Sequence, residues 1–387
     1  MSEWVEKRLG EVAPFKYGKS LLEANRQAGC FNVYSSAGIC GRSDKSIASK
    51  GIIVGRKGTV GSVFYSAFPF FCIDTAFYVD EISKNCDMKF LFYYMQLLKL
   101  ESFNNDAAVP GLNRNLAHKL RINIPAEPSV QTRIAKILST YDDAIENNNH
   151  RIALLEKAAQ ELYKEWFVRF RFPGHENAKF EGGLPEGWEA TPFGKLVNII
   201  DGDRGKNYPH QTEFSIEGYC LFLNAGNVTK NGFDFSDNAF ITEAKDKLLR
   251  KGKLIRNDMV VTTRGTVGNI AFYNEYVQYN VMRINSGMVI LRDSGEVPIE
   301  FLYLTLRSDS IQQMIQLFSS GSAQPQLPIK DMKKMKILKP PTSIVKEFSS
   351  IVSDTLHETA LLQAQNQNLA RQRDLLLPRL MSGKIEV

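Results

Sequence analysis

The chain has 387 residues, 43% hydrophobic and 23% charged, which predicts a globular protein of about two domains. The 48 Lys and Arg residues against 42 Asp and Glu give a formal net charge of +6, which is compatible with a polyanionic partner. No run approaches the roughly 20 apolar residues of a membrane span, and the start lacks the apolar core of a signal peptide. The five cysteines form no CxxC pair and the five histidines are scattered, so we expect a cytoplasmic protein with reduced thiols and no bound metal.

The globular part of each half is predicted to be mixed α/β, and the second half repeats the first. In both halves a glycine loop separates two short apolar segments that are typical of strands, and a short helix follows. The predicted strands are 52–54 and 63–65 in the first half and 259–263 and 270–273 in the second, and the short helices are 90–100 and 301–306. The landmarks that recur in the same order are Trp4 and Trp188, Gly10 and Gly194, GTVG at 58–61 and 265–268, Phe90-Leu91 and Phe301-Leu302, Leu112 and Leu327, and Pro125 and Pro340.

Each half ends in a long predicted helix, the first of which starts after Pro128 with Ser129 as its N-cap. Apolar residues recur alternately four and three residues apart, which is the heptad pattern of a helix that packs on another helix. The first seam contains Asn148 as its polar member, and the second seam is more polar. The apolar seam residues are Ile134, Leu138, Tyr141, Ile145, Ile152, Leu155, Leu162 and Trp166 in the first helix, and Phe348, Val352, Leu362, Leu369, Leu376 and Leu380 in the second.

A helix of nearly 40 residues is about 55–60 Å long and cannot bury its apolar stripe alone. We therefore predict that the two helices pack on each other; the alternative is that each folds back on its own globular half. Trp166 and Phe167, near the end of the first helix, are expected to be exposed without a partner protein. The predicted organisation is a first domain over 1–128, a central helix over 129–171, a second domain over 172–342 and a C-terminal helix over 343–387.

One segment has a catalytic appearance, because residues 13–20 (APFKYGKS) fit a relaxed phosphate-loop pattern with Lys19 as its lysine. A working phosphate loop needs an apolar strand before it and a helix after it, and neither is predicted here. The chain also lacks a cofactor-binding glycine motif paired with the N/D-P-P-aromatic tetrapeptide of DNA methyltransferases, and it lacks a nucleophile elbow. The sequence therefore favours a protein without catalytic chemistry of its own.

This organisation resembles the specificity subunit of type I restriction–modification enzymes, and the resemblance extends over nearly the whole chain. The segments that carry it are 52–79 and 259–273, which resemble the glycine loops and following strands of two target-recognition domains. The segments 120–138 and 335–348 resemble the approaches to the two spacer helices, whose ends are similar to 161–174 and 375–385. The resemblance implies an α/β (α+β) fold with two repeated target-recognition domains, separated by two helices that form an antiparallel coiled coil with pseudo-twofold symmetry.

The resemblance also implies a function without catalysis. Each domain would recognise one half of a bipartite, asymmetric site in double-stranded DNA, and the paired helices would set the spacing between the halves. Two methylation subunits, which use S-adenosylmethionine, would dock on the helices. Two restriction subunits would use ATP and Mg to translocate and cut DNA, and this chain itself would hold no cofactor.

Candidate DNA-binding residues follow from the chemistry of base recognition, in which Arg and Lys contact guanine and Asn and Gln contact adenine. Residues 1–128 carry 16 basic and 12 acidic groups, whereas 172–342 carry 20 and 19, so neither domain has a large positive charge. The candidates are Lys16, Tyr17, Lys19, Arg42, Lys45, Arg56, Lys57, Asn113 and Arg114 in the first domain, and Arg204, Lys206, Tyr208, Asn224, Asn227, Lys230, Arg264, Gln324 and Gln326 in the second.

Three other functions remain open from the sequence. A stand-alone repressor or architectural DNA-binding protein would bind its site without a methylation partner. A scaffold that assembles proteins through its helices would be indifferent to DNA sequence. An enzyme that uses the segment 13–20 would lose nucleotide-dependent activity on substitution of Lys19.

Overall fold

A computed structural model describes residues 3–26, 28–103, 111–319 and 325–387 of the chain. The chain divides into two compact units, and each unit contains parts of both long helices. Unit 1 comprises Met1–Glu146 and Gln367–Val387, and unit 2 comprises Asn147–Asn366. In the part of the chain that the structure describes, no helix combines the length and the apolar character that a membrane crossing requires.

Unit 1 is built on a four-stranded sheet and a three-stranded sheet, with a further two-stranded sheet and short helices. The four-stranded sheet has the order β2-β8-β5-β6, the three-stranded sheet β4-β3-β7, and the pair is β1-β9. The elements are β1 (Trp4–Arg8), α1 (Leu9–Val12), β2 (Lys16–Tyr17), β3 (Phe31–Ser35), β4 (Gly38–Ser43), β5 (Gly51–Gly55), β6 (Val63–Ser66), β7 (Phe70–Cys72), β8 (Ala76–Val79), α2 (Met88–Gln96), α3 (Arg114–Lys119), β9 (Arg121–Pro125) and α4 (Pro128–Tyr163), which continues into unit 2.

Unit 2 repeats the same three sheets with additional strands and helices. Its four-stranded sheet is β13-β21-β18-β19, its three-stranded sheet β17-β14-β20, and the equivalent pair is β12-β22. The elements are β10 (Phe180–Glu181), β11 (Leu184–Pro185), β12 (Glu189–Pro192), β13 (Val197–Asp201), β14 (Cys220–Leu223), β15 (Val228–Thr229), β16 (Gly232–Phe233), β17 (Phe240–Ile241), α5 (Glu243–Leu248), β18 (Met259–Thr262), β19 (Ile270–Phe272), β20 (Met282–Ile284), β21 (Met288–Asp293), α6 (Ile299–Arg307), α7 (Asp309–Phe318), α8 (Ile329–Met332), β22 (Lys336–Lys339) and α9 (Thr342–Met381).

The predicted strands around the glycine loops are confirmed as the antiparallel pairs β5-β6 and β18-β19. The two loops close with the same backbone hydrogen bonds, since Gly61 donates to Gly55 at 2.9 Å and Gly268 donates to Thr262 at 2.9 Å. Both donors have a positive φ, 79° and 94°, which favours glycine because it has no Cβ. These two amide groups are used inside the turn, so they are not available to a DNA phosphate.

The long helices are confirmed, but their ends differ from the prediction. The first helix begins at Pro128, because the amide groups of Val130 and Gln131 donate to the Glu127 carbonyl, so the predicted N-cap Ser129 is wrong. Proline is favoured in the first turn, where its missing N–H has no helical partner. The α-helix ends at Tyr163 and is followed by one π-turn over Lys164–Val168.

The predicted antiparallel packing of the helices is confirmed inside each unit. In unit 1, Arg373 donates to Asp142 at 2.5 Å, and Arg133 donates to the carbonyl of Val387 at 2.9 Å. Rising residue numbers in the first helix therefore meet falling numbers in the second. The apolar seam residues Ile134, Leu138, Trp166, Phe348, Val352, Leu362 and Leu380 are buried, and Tyr141, Ile145, Ile152, Leu155, Leu162, Leu369 and Leu376 are half-buried.

In unit 2 the polar positions of the two seams face each other. The Asn148 amide donates to Asn366 Oδ1 at 3.0 Å, and Asn366 donates in turn to Asn149 at 2.9 Å. One helical turn further on, Arg151 forms an ion pair with Glu358 at 2.6 Å. An amide pair in the seam favours this register, because a shift of half a heptad would leave Asn148 opposite Leu362 or Leu369.

The expectation that Trp166 and Phe167 are exposed is wrong. Their exposed fractions are 6% and 4%, because the end of the first helix lies in the main core of unit 2. The Phe348 ring packs on both, at centroid distances of 5.6 Å from Trp166 and 4.7 Å from Phe167, and Trp188 contacts Phe167 at 5.9 Å. The aromatic end of the helix therefore supports the globular part of its own unit.

Candidate nucleic-acid interface

Three segments of unit 1 that are distant in sequence meet around the side chain of Tyr17. Strand β2 places Tyr17 opposite Phe77 of β8. Directly after β5, the backbone amides of Arg56 and Lys57 both donate to the Thr75 carbonyl. The Leu112 amide then donates to the Arg56 carbonyl at 2.8 Å. Together these segments form a cleft of about 470 Å³, called the Tyr17 cleft below. Its lining residues are Tyr17, Arg56, Lys57, Gly111, Leu112, Asn113, Arg114 and Asn115.

Two arginine side chains stack on the ring of Tyr17 in this cleft. The guanidinium carbon of Arg56 lies 5.0 Å from the ring centroid, and that of Arg114 lies 4.9 Å from it. Such cation–π contacts hold a guanidinium group in place without neutralising its charge. The ring remains 48% exposed and packs on Phe77 with a centroid distance of 5.0 Å. The tyrosine therefore orients both cations at an open surface.

The cleft has a positive charge that no carboxylate of the described residues offsets. Among the described residues, neither Arg56 nor Arg114 has a carboxylate oxygen within 4 Å, and no Asp or Glu lines the cleft. Arg56 donates to the backbone carbonyl of Asp74 at 3.3 Å. The Nε atom of Arg114 is buried and has no hydrogen-bond partner in the described part of the chain. Unneutralised guanidinium groups are suited to an anionic or acceptor-rich ligand.

His118 supports the helix that carries Arg114. Burial, and to a smaller extent the nearby Arg114 charge, lower the pKa of His118 below its usual value. The neutral ring accepts a hydrogen bond from the Phe15 amide at 2.9 Å. This bond joins α3 to the chain just before β2, so a neutral His118 helps to hold Arg114 near Tyr17.

The other candidates of the first domain lie outside this cleft. Lys16 is paired with Asp80 at 2.8 Å and Glu81 at 3.1 Å, and these carboxylates raise its pKa, so its charge is already compensated. Arg42 lies on β4 of the other sheet and donates to the Cys30 carbonyl. Lys19 and Lys45 are exposed.

The phosphate-loop interpretation of residues 13–20 is wrong. Lys16 and Tyr17 form strand β2, and the following amide groups of Gly18 and Lys19 donate to carbonyls of Ala76 and Cys72. A phosphate loop requires its amide groups to converge on the ligand, and here they bond to the neighbouring strand instead. The described residues also hold no group of three or more His, Cys, Asp or Glu side chains placed to bind a metal.

Unit 2 repeats the backbone framework of the cleft. The amide of Leu327 donates to the Thr263 carbonyl at 3.0 Å, as Leu112 does to Arg56, and Arg264 forms a bridge with Gln326 as Lys57 does with Gly111. Arg204 lies beside this framework, because it donates to the Ser286 carbonyl at 3.2 Å and pairs with Asp201 at 3.2 Å. Thus three second-domain candidates, Arg204, Arg264 and Gln326, lie near one another.

Asp203 holds the loop that presents Arg204 and Lys206. Burial acts to raise the pKa of Asp203, but hydrogen bonds from backbone amides outweigh burial, and the net shift is downward. Its carboxylate accepts from Gly205 and from Arg250, both at 2.7 Å. The exposed side chain of Lys206 is carried on the same loop.

Several second-domain candidates have structural contacts instead. Asn227 is 2% exposed and donates to the carbonyls of Asp234 and Asp237, so the prediction that it contacts DNA is wrong. Asn224 accepts from the Gly226 amide, Tyr208 packs its ring on Phe222, and Lys230 is exposed in the turn between β15 and β16. Gln324 lies outside the described residues.

A family model for the type I restriction modification DNA specificity domain matches this chain twice, over residues 1–157 and 185–371. Each match contains one copy of the three-sheet framework. The chain belongs to this family. The internal repeat predicted from the sequence is thereby confirmed as two DNA specificity domains.

Relatives with similar sequences are named as specificity subunits. The chain is 26% identical over 311 residues to the type I restriction enzyme MjaIX specificity subunit of Methanocaldococcus jannaschii, with 77% of this chain and 69% of the relative covered. It is 24% identical to the HindI specificity subunit of Haemophilus influenzae, with 81% of each covered. The crystal structure of the type I restriction-modification S subunit from M. genitalium shares the fold with a TM-score of 0.61 at 18% identity, over 98% of this chain and 96% of the other.

The two specificity domains differ at the positions that form the cleft. By the common hydrogen-bond pattern, Tyr17, Arg56 and Arg114 of the first domain correspond to Asp201, Thr263 and Ile329 of the second. The framework is thus repeated, while its exposed side chains change in charge and shape. Sequence reasoning missed Asn115 as a lining residue, although it directly follows the candidates Asn113 and Arg114 at the start of α3.

Proposed function

We propose that this chain is the sequence-specific DNA-recognition subunit of a type I restriction–modification complex, in which each domain recognises one half of a bipartite, asymmetric site. One observation carries the proposal: a common backbone framework presents Tyr17, Arg56 and Arg114 in one domain but Asp201, Thr263 and Ile329 in the other. Base recognition depends on the donors and acceptors at such positions, so the two half-sites differ.

In this proposal the paired helices set the distance between the half-sites and provide the docking surface for two methylation subunits. The structural support is the length of the two helices, 36 and 40 residues, whose parts pack on each other within each unit, with facing amides at Asn148 and Asn366 in unit 2. A flexible linker could not hold two binding sites at one spacing on DNA. Both long helices carry exposed apolar side chains, including Leu154 and Leu375, that a partner could cover.

The chain would act without catalysis, in the cytoplasm. S-adenosylmethionine would be bound by the methylation subunits, and ATP and Mg by two restriction subunits, so this chain would contribute recognition alone. Each domain carries little net charge, which supports a division of labour in which part of the DNA affinity comes from the partners.

The test is to co-express the chain with its methylation subunit and to map the methylated adenines across a host genome. The proposal predicts a split motif, with two different half-sites and a fixed number of unread base pairs between them. A contiguous palindrome, or methylation without a motif, would contradict it. A stand-alone repressor would instead bind one site tightly without the methylation subunit.

A further inference from the structure

We infer that the Tyr17 cleft binds the major-groove edge of a guanine in the half-site of the first domain, with Arg114 as the base-contacting residue. The inference rests on the proposed function and adds to it the base, the residue and the domain. It concerns the cleft formed by Tyr17, Arg56, Lys57, Asn113 and Arg114, whose volume is about 470 Å³.

The cleft presents hydrogen-bond donors and few acceptors. Arg56, Lys57 and Arg114 can only donate. Asn113 uses its Oδ1 to accept from the amides of Asn115 and Leu116, at 3.0 and 3.1 Å, which leaves its Nδ2 group to donate. Asn115 adds an amide with both a donor and an acceptor, and no carboxylate is among the described lining residues. A lining dominated by donors favours a ligand edge that consists of acceptors.

Among the four bases, guanine has such an edge in the major groove. It presents two neighbouring acceptors, N7 and O6, whereas adenine and cytosine each present an amino group that needs an acceptor in the protein. Thymine presents a single acceptor beside a methyl group. The donor lining therefore favours guanine and leaves the amino groups of adenine and cytosine without a partner, which is costly in a desolvated contact.

The two arginines have different roles in the cleft. Arg56 is fixed by its bond to the Asp74 carbonyl and by contact with the rings of Tyr17 and Phe77 at 5.0 and 5.8 Å, so it is a positioning residue. Arg114 stacks on Tyr17 alone, and its Nε has no partner among the described residues. Stacking keeps its planar fork oriented, which suits bidentate bonding to N7 and O6.

The second domain does not repeat the two arginines that stack on Tyr17. The side chains at the positions of Tyr17, Arg56 and Arg114 are those of Asp201, Thr263 and Ile329, although Arg264 takes the position of Lys57. The stacked arginine contact is therefore specific to one half-site. Substitution of Arg114 can change that half-site alone.

The experiment uses the complex of this chain with its methylation subunit and duplexes that carry the mapped motif. Each guanine of either half-site is replaced in turn by 7-deazaguanine, which lacks the N7 acceptor and keeps Watson–Crick pairing. We expect one position, in one half-site, to weaken binding by the wild type by about 5- to 150-fold. Arg114→Gln should weaken binding to the normal duplex to a similar degree and show little further loss with the modified base. Lys84→Gln, which changes an exposed cation of unit 1 that is neither a lining residue of the cleft nor a candidate DNA-binding residue, is the matched control and should change neither.

Three results would overturn the inference. One is a wild-type motif in which neither half-site contains a guanine that depends on N7. Another is an Arg114→Gln loss that adds fully to the 7-deazaguanine loss at every position. The third is a loss of binding affinity in Arg114→Gln that is equal for all DNA sequences and that lowers the salt dependence of binding by about one phosphate contact. That result would show that Arg114 contacts a DNA phosphate and not a base. If Arg114→Gln still recognises the other half-site, the variant is folded. Binding of the wild type to the modified duplexes tests the inference without any variant. Absence of a split motif for the wild type would instead contradict the proposed function.

Discussion

The aromatic contact between the two long helices in unit 2 gives a quantitative test of their packing. Phe348 of α9 is fully buried, and its ring lies against Tyr163, Trp166 and Phe167 at the end of the first helix, at centroid distances of 6.2, 5.6 and 4.7 Å. The substitution Phe348→Ala removes this ring from the contact and leaves a cavity that large neighbouring rings cannot easily fill.

The expected loss follows from the size of the cavity. A buried Phe→Ala substitution lowers the free energy of unfolding by about 3–5 kcal/mol, from lost burial and from the unfilled space. For a unit of 150–250 residues each kcal/mol corresponds to about 2–4 °C in melting temperature. Phe348→Ala should therefore lower the melting temperature of unit 2 by roughly 6–20 °C.

The assay is thermal unfolding followed by calorimetry, with Ile351→Ala as the control. Ile351 lies one turn further along the same helix and is 49% exposed, so its truncation should cost less than about 1 kcal/mol. If Phe348→Ala lowered the melting temperature no more than Ile351→Ala does, the helices would not be held together by this aromatic contact.

Three further predictions concern polar groups. Burial lowers the pKa of His118, so the neutral ring's contribution to the stability of unit 1 is present above the unfolded pKa of about 6.5 and is lost as the pH falls through the lower folded pKa. The free energy of unfolding, measured in urea at pH 7.5 and 5.5, should therefore change more with pH for the wild type than for His118→Asn. Equal pH dependences would contradict this. Asn148→Ala leaves Asn366 without its 3.0 Å partner and should lower the free energy of unfolding by about 1 kcal/mol in urea titrations, whereas a gain would show that the amide pair is not stabilising. Arg283 is 5% exposed and bonds to the buried carboxylate of Asp246 at 2.5 Å, so Arg283→Met should cost about 3–5 kcal/mol by the same titration, and a loss below 1 kcal/mol would contradict the assigned pairing.

Periodic features of the fold were predictable from the sequence. The heptad seams located both long helices, because a stripe repeated over many turns is a strong local signal. The paired glycine loops located β5-β6 and β18-β19, since the same turn occurs twice in one chain. The register of the two helices was not predictable, because it depends on which polar positions face each other. The sequence allows several partners for Asn148, and the structure shows that its partner is Asn366.

The site was only partly predictable, for a different reason. Tyr17, Arg56 and Arg114 each had suitable chemistry, but their convergence results from strand pairing across long stretches of sequence. Burial also cannot be seen in a loop sequence, so Asn227 resembled a base-contacting amide while its side chain in fact bonds to two backbone carbonyls. The sequence likewise does not show that the charge of Lys16 is paired, because its partner Asp80 is distant along the chain.

The central claim is that two domains recognise separate half-sites at a spacing set by the paired helices. The most direct measurement inserts one heptad into each helix at facing positions, beside Asn148 and Asn366, and maps the methylated motif again. Seven residues add about 10 Å of helix, which corresponds to about three base pairs of DNA. The account predicts a gap longer by about three base pairs between two unchanged half-sites. An unchanged gap, or half-sites of altered sequence, would contradict it.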